Sequence, residues 1–275
     1  MQEVRFSFGK NWGTYIDRYL TEERIHAARQ KTLNFLGMEN LRGRRFLDIG
    51  CGSGLFSLIA HRLGASEVVS FDIDEDSVGC CRALWEQAGR PDNWTITTGS
   101  ILDKEFVESL PRTDIVYSWG VLHHTGQMYN AIRNAAGLVA PDGHFYIAIY
   151  NKQEYRSLTS LRGSHYWVRV KHLYNTGGPL TRFAMRSGYK AKDVMGMLAS
   201  LKNPFRAIRN YSSMRGMSWS VDITDWLGGF PYEFARVDEI FTFCRRECGL
   251  ELENVKSTNS LGCNEFLFRR PANRD

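Results

Sequence analysis

Short apolar runs alternate with segments of helical periodicity through the first 150 residues of the chain. The apolar runs are rich in β-branched and aromatic residues and end at turn residues, which predicts strands. The stretches between them repeat their apolar positions every three to four residues, which predicts helices. The predicted strands are 45–49, 67–71, 94–98, 114–119 and 144–150. Strands that alternate with helices favour a parallel sheet with right-handed crossovers.

The same patterning predicts the elements around these strands. A helix begins at Thr21, whose hydroxyl suits an N-cap and is followed by two acidic residues in the first turn. Two further strands are predicted near 250–255 and 264–268. The predicted helices are 21–36, 55–63, 75–88, 128–139 and 237–248.

These elements predict an α/β fold with a doubly wound, mostly parallel seven-stranded sheet and helices on both faces. A helical basic insertion is predicted between strands five and six. The predicted division of the chain is residues 1–40 as an N-terminal arm and helix covering the site, 41–150 as the ligand-binding core, 151–235 as the insertion with an acceptor loop, and 236–275 as the C-terminal helix and last strands.

The positive charge of the chain is concentrated in the insertion. Between Lys152 and Arg215 there are thirteen basic residues and two acidic ones, a net charge of +11, whereas the whole chain carries +5. The remainder is therefore net acidic, and the insertion is expected either to present a solvated helical face or to bind an anionic partner.

Composition narrows the class of protein. With 43% apolar and 24% charged residues the chain can bury one core. The absence of a long apolar run and of a signal-peptide pattern predicts a cytoplasmic protein without a transmembrane segment. None of the six cysteines forms a CxxC pair, which favours reduced thiols and no metal site.

The first predicted strand breaks into a glycine-rich turn at Gly50-Cys51-Gly52-Ser53-Gly54 and then into a helix. Glycines at alternate positions let backbone amides approach a ligand, and the N–H groups at the start of the helix face the same place. The second strand ends at Asp72, about twenty residues after the turn, where a carboxylate reaches a ribose. The pattern predicts a nucleotide-type ligand.

Two common nucleotide sites are disfavoured by the same turn. A dinucleotide site needs a third small residue where Leu55 stands, and a phosphate-binding loop needs a Gly-Lys-Ser or Gly-Lys-Thr, which does not follow the turn.

The run from Phe46 to Gly54 resembles the first motif of the class I S-adenosylmethionine (SAM)-dependent methyltransferases. The resemblance continues in order at Asp72, at 99–103, at 119–124 and at 138–144, so that it covers residues 40–150. It implies SAM as the cofactor and a seventh, antiparallel strand. The cofactor-binding residues that it implies are Asp48, Gly50, Cys51, Gly52, Asp72, Ile73, Ser100, Ile101, Ser118 and Trp119.

The acceptor is expected to enter between the N-terminal arm, the insertion and the loop 225–233. His124 is the first candidate for a general base, Asp225 the second, and His123 either shares that role or packs in the core. The residues predicted to shape the acceptor pocket are Asn11, Trp12, Tyr15, Trp226, Tyr232 and Glu233.

The predicted activity is in-line transfer of a methyl group to oxygen or nitrogen of a small-molecule or sugar acceptor, by a monomer or homodimer. One alternative is a SAM-using enzyme that attacks the aminobutyryl carbon, because the sulfonium has three electrophilic carbons. Another is an RNA methyltransferase that uses the basic insertion, although the strand-four end lacks an Asn/Asp-Pro-Pro-aromatic motif. A regulator that binds SAM without turnover is a third.

Overall fold

The computed structural model describes residues 20–154, 163–215 and 219–272. Asn11, Trp12 and Tyr15, predicted to belong to the acceptor pocket, lie outside these residues. In the described parts of the chain one seven-stranded sheet has the order β3-β2-β1-β4-β5-β7-β6. Only β7 runs antiparallel to its neighbours β5 and β6. The predicted fold class is therefore confirmed.

The strands are β1 Arg45–Ile49, β2 Glu67–Asp72, β3 Trp94–Thr98, β4 Thr113–Trp119, β5 Val139–Tyr150, β6 Glu251–Lys256 and β7 Cys263–Arg269. The helices up to β5 are α1 Glu22–Leu36, α2 Leu55–Arg62, α3 Glu75–Gln87, α4 Lys104–Ser109 and α5 Met128–Gly137, with a 3₁₀ turn at Leu122–His124. The later helices are α6 Ser164–Thr176, α7 Pro179–Ala199, α8 Pro204–Arg215, α9 Trp219–Gly228 and α10 Val237–Cys248.

The central strands are buried on both faces, which explains why their sequences are almost continuously apolar. Leu47 and Val116 face the layer that contains α5 and α10. Phe46 and Tyr117, the neighbours of these residues along the strands, face the layer that contains α1 and α2. Because successive side chains of a strand point to opposite faces, the same strands support both layers.

One strand boundary differs from its prediction by more than two residues, and one short helix was not predicted. β5 begins at Val139 instead of residue 144, because Val139 already pairs with Thr113 before the register shifts at Pro141-Asp142-Gly143. These turn residues produce an irregularity within the strand and do not precede it. Helix α4 was not predicted, because six residues are too few to show a helical period, although Asp103 caps it through the N–H groups of Glu105 and Phe106.

Helices α6 to α9 lie between β5 and α10 and form a small core of their own. Trp167 and Tyr174 of α6 pack there with Ile223 and Leu227 of α9. None of the helices in the described ranges has the length and apolar character that a membrane span requires. Tyr150, at the carboxyl end of β5, packs against this small core.

Candidate active site

The strand order reverses direction between β1 and β4, and the glycine turn lies at this point. Open α/β sheets bind ligands at such a switch, outside the carboxyl ends of the strands. The N–H groups of Gly50 and Cys51 donate to the Phe71 carbonyl at 2.8 and 3.0 Å. These bonds fix the turn against the end of β2.

The glycines of the turn are required by geometry. Gly50 has a φ of +71°, and a Cβ atom there would lie 2.4 Å from Cγ1 of Val121, just after β4. Gly54 has a φ of +81°, and its Cβ would lie 2.8 Å from the Cα atom of Cys81. A side chain at either position would therefore both strain the backbone and separate the turn from its neighbours.

We expect Gly50→Ala to lower the free energy of unfolding by about 2 to 4 kcal/mol, through the left-handed backbone and the crowding of Val121. Ligand affinity at the turn should fall about tenfold or more, because Val121 must move. Urea unfolding and calorimetric titration with S-adenosylhomocysteine (SAH) measure the two effects.

Gly37→Ala is the matched control for this change. Gly37 has a φ of +66°, but its Cβ would meet nothing within 4 Å, so it carries the backbone strain alone. Adding Val121→Ala to Gly50→Ala should recover part of the loss. Equal effects at Gly50 and Gly37 would refute the crowding.

The Asp72 carboxylate is bonded to the turn itself. Its Oδ2 accepts the Gly52 N–H at 3.0 Å, and its Oδ1 accepts the Asp74 N–H at 3.0 Å. Burial raises the pKa of this carboxyl, and the two backbone N–H groups oppose the rise. Asp72 therefore occupies a fixed position at the end of β2, beside the turn.

Asp48 lies at the end of a buried chain of hydrogen bonds. Trp94 Nε1 donates to Ser70 Oγ at 2.9 Å, Ser70 Oγ donates to Ser57 Oγ at 2.7 Å, and Ser57 Oγ donates to Asp48 Oδ2 at 2.5 Å. Burial raises the pKa of Asp48 to about 7, against the effect of the Ser57 hydroxyl. A nearby cation would favour the charged form of this carboxyl.

On the far side of Asp72 an apolar side chain is exposed. The Ile73 side chain is 49% exposed, which is unusual for isoleucine, and Ser100 caps the following turn by accepting the Leu102 N–H at 3.2 Å. Ile101 instead lies in the core, and its carbonyl accepts from Asn134 at 2.8 Å. Ile73 is thus the apolar side chain of this group that can contact a flat ring.

Ser118 and Trp119 end β4 on the other side of the turn. The buried Ser118 hydroxyl donates to the Ile49 carbonyl at 3.1 Å and ties β4 to β1. Trp119 is 40% exposed, with the Lys31 ammonium 5.2 Å from its ring centroid. Lys31 also pairs with Glu265 at 3.0 Å.

The two histidines of the 3₁₀ turn have different environments. His123 is fully buried, accepts the Tyr150 N–H on Nδ1 at 3.3 Å and lies under the Tyr150 ring at 4.1 Å between centroids. His124 is half-buried, and its Nδ1 lies 2.6 Å from the Pro231 carbonyl oxygen. A carbonyl only accepts, so the Nδ1 of His124 carries the proton. Desolvation lowers the pKa of His124 to about 3.

Residues 231–235 run beside the end of β5 and bring the predicted acceptor loop to the histidines. The Glu233 N–H donates to the His123 carbonyl at 2.9 Å, and the Ala235 N–H donates to the Tyr150 carbonyl at 3.0 Å. The Glu233 carboxylate accepts the Met128 N–H at 3.0 Å and so caps α5. The Tyr232 and Tyr150 rings are 5.0 Å apart.

Lys171 is a residue that the sequence pattern grouped with the exposed bases. It is fully buried, donates to the Trp226 carbonyl and lies 4.2 and 4.8 Å from the ring centroids of Trp226 and Tyr232. Burial lowers its pKa to about 7, and the charge of Asp225 opposes that change. Lys171 lies four residues after Trp167, so the two side chains share one face of α6, and this spacing could have indicated that Lys171 faces the core.

The site's charges and shape suit a cationic nucleoside better than a phosphate. Two carboxylates, Asp48 and Asp72, flank the turn, whereas a phosphate would be repelled by them. The glycine turn is bonded to Asp72 through the Gly52 N–H, and Ile73 offers an exposed apolar contact beside them. These features fit SAM, which has a sulfonium and no phosphate.

Comparison with known proteins shows the family of this chain. Residues 20–190 match a family model described as a methyltransferase domain, over more than half of the chain. A ubiquinone biosynthesis O-methyltransferase of Methylobacterium sp. (strain 4-46) is 29% identical over 183 residues, which are 62% of this chain and 70% of that protein.

Two solved structures share the fold at low identity. A SAM-dependent methyltransferase from Mesorhizobium loti matches with a TM-score of 0.52 and 17% identity, over 90% of this chain and 100% of that one. Magnesium protoporphyrin IX methyltransferase from Synechocystis PCC 6803, with bound SAH, matches with a TM-score of 0.50 and 17% identity, over 90% of this chain and 82% of that one. At these identities the likeness shows the fold alone.

Proposed function

The chain belongs to the methyltransferase-domain family and is a SAM-dependent methyltransferase, and from that premise we propose that it methylates a hydroxyl oxygen of a small molecule. The observation that supports this proposal best is the state of His124. The Pro231 carbonyl holds the proton on Nδ1, so the tautomer has its lone pair on Nε2. A neutral imidazole can accept the proton that a hydroxyl must lose.

The cofactor supplies an electrophilic methyl group when it is bound. In the proposed arrangement the Asp72 carboxylate accepts the ribose hydroxyls, Ile73 contacts adenine and the backbone around Gly50 and Gly52 borders the methionine end. Asp48 stabilises the positive charge from beneath the turn. Ser100 and the backbone of Ser118 and Trp119 complete the predicted cofactor contacts.

The chain's own contribution to the reaction is to position the acceptor and take up its proton. In-line displacement is accelerated mainly by holding the two reacting atoms about 3 Å apart and aligned. His124 is anchored by the Pro231 carbonyl and so has a fixed ring orientation. Asp225 remains the second candidate base.

Aromatic side chains surround the histidines and support a flat acceptor. The Tyr150 ring lies 4.1 Å from His123, 5.0 Å from Tyr232 and 6.0 Å from Trp226, between centroids. An acceptor that packs against these rings would be a ring-bearing small molecule in preference to an extended polar chain. The name of the Methylobacterium relative, an O-methyltransferase of ubiquinone biosynthesis, agrees with an oxygen acceptor.

Product analysis tests the proposal. The protein is incubated with SAM and panels of phenols, sugars, amines and total RNA, and the nucleoside and acceptor products are identified by mass spectrometry. We expect SAH together with a phenol or another hydroxyl compound that has gained CH₂, and much less of both products with Asp72→Ala at the same SAM concentration. Methylthioadenosine would instead show attack on the aminobutyryl carbon, and methylated RNA nucleosides or amines alone would refute the proposed acceptor.

A further inference from the structure

Helix α7 has no buried residue along its 21 positions. Large apolar side chains on this helix and in the turn to α8 are instead open to solvent. We call this set the apolar stripe. Its members and exposed fractions are Leu180 80%, Phe183 62%, Met195 61%, Leu198 56%, Leu201 97% and Phe205 87%. Apolar exposure on this scale is typical of an interaction surface.

The four members on α7 lie on one side of the helix. Leu180 and Leu198 are separated by about five helical turns and so project in the same direction, and Phe183 and Met195 lie within about 60° of them. Met185 and Tyr189, on the opposite side, pack into the small core of α6 and α9. One side of α7 therefore holds the helix on the protein, and the other is free for a partner.

Cations accompany the stripe. Residues 179–215 contain eight basic residues and one acidic residue, a net charge of +7. Lys202, Arg206 and Arg209 are all exposed where the chain turns from α7 into α8. An apolar helix face bordered by lysine and arginine is the arrangement of helices that lie in a membrane interface.

We propose that α7 and the turn into α8 dock this protein on the surface of an anionic lipid bilayer. The apolar stripe enters the boundary between headgroups and acyl chains, and the flanking bases contact anionic headgroups. A second copy of the chain is a less suitable partner, because it would bring another net charge of +7 against the first. RNA would satisfy the cations but leave leucine and methionine side chains without an apolar environment.

Packed aromatic rings connect α7 with the predicted acceptor residue Trp226. Tyr189 of α7 packs on Trp167 at 5.9 Å between ring centroids, and Trp167 packs on Trp226 at 5.0 Å. Docking would thus place the helices beside the histidines at the membrane. This inference stands on the surface alone and does not require the proposed acceptor.

Co-sedimentation with vesicles tests the docking. One set of vesicles is phosphatidylcholine and the other is phosphatidylcholine mixed with phosphatidylglycerol, each at low and high salt. We expect the wild-type protein to sediment with the anionic vesicles at low salt, with much weaker binding to phosphatidylcholine and at high salt.

Two variants separate the apolar and the charged contributions. The apolar variant is the double substitution Phe183→Ser and Leu201→Ser. The charge variant is the triple substitution Lys202→Gln, Arg206→Gln and Arg209→Gln. Each should lower the partition coefficient about tenfold or more. The matched controls are Tyr129→Ser with Val255→Ser, and Arg82→Gln with Lys104→Gln and Arg112→Gln, which change exposed residues elsewhere. Thermal unfolding and SAH titration verify that each variant is folded.

Three results would overturn the docking. The first is the absence of binding to anionic vesicles, and the second is equal binding by the stripe variants and the controls. The third is a stripe-dependent dimer in light scattering, or stripe-dependent RNA binding, that persists when vesicles are in excess.

Discussion

Replacing Asp72 with alanine is expected to raise the dissociation constant for SAH about a hundredfold or more. Hydrogen bonds to a charged group contribute roughly 1.5 to 3 kcal/mol each, and two ribose hydroxyls would lose their acceptor. The Gly52 and Asp74 N–H groups would lose theirs as well, so the glycine turn would also be less well fixed. Calorimetric titration measures the affinity.

The controls separate the ribose contact from the general effect of charge. Asp72→Asn keeps one acceptor oxygen and should fall between the wild type and Asp72→Ala. Asp76→Asn removes an exposed negative charge nearby and should leave affinity unchanged. Because burial raises the pKa of Asp72, wild-type affinity should also decline as the pH is lowered into the acidic range. An Asp72→Ala protein that binds SAH within about threefold of wild type would contradict the assignment.

Removing the ring of His124 is expected to lower kcat about a hundredfold or more, because general-base catalysis contributes about that much. The informative variant is His124→Asn. Its amide N–H can still donate to the Pro231 carbonyl, while the imidazole lone pair is lost. His124→Ala loses both the hydrogen bond and the base. Turnover of the acceptor identified by product analysis is the measurement.

The pH profile identifies the role. With a His124 pKa of about 3, protonation of this ring should not reduce wild-type kcat between roughly pH 6 and 8. If His124 acts as the base, kcat of His124→Asn should rise with pH, because the acceptor hydroxyl then ionises in solution and needs no base. The affinity of this variant for SAH should equal that of the wild type. His26→Asn, on the exposed side of α1, is the matched control.

Two outcomes would assign His124 differently. Unchanged turnover of His124→Asn across the pH range would exclude it as the base and leave Asp225 as the next candidate. A fall in SAH affinity that matches the fall in turnover would indicate that the ring only holds the structure.

Local patterns predicted the strands, the glycine turn and, except for α4, the helices in the first 150 residues. The strand, the glycine turn and the helix that follows are consecutive in the chain, and Asp72 comes at the end of the next strand. Side-chain periodicity and the conformational demands on glycine act over such short distances, so they can be detected in the sequence. The start of β5 was harder to predict from the sequence. Pairing between Thr113 and Val139 extends the strand through residues that usually form turns.

The environments of the predicted acceptor residues depend on contacts between distant parts of the chain. The sequence alone determined the sheet, the glycine turn and the position of the basic insertion, because each follows from local periodicity, backbone preference or charge count. Only the tertiary structure decided that Pro231 fixes the tautomer of His124 across 107 positions. Likewise, only the tertiary structure shows that Lys171 is buried among aromatic rings and that the apolar stripe is exposed. Burial and hydrogen-bond partners depend on which helices pack together, and an amphipathic pattern does not specify which of its faces meets the protein.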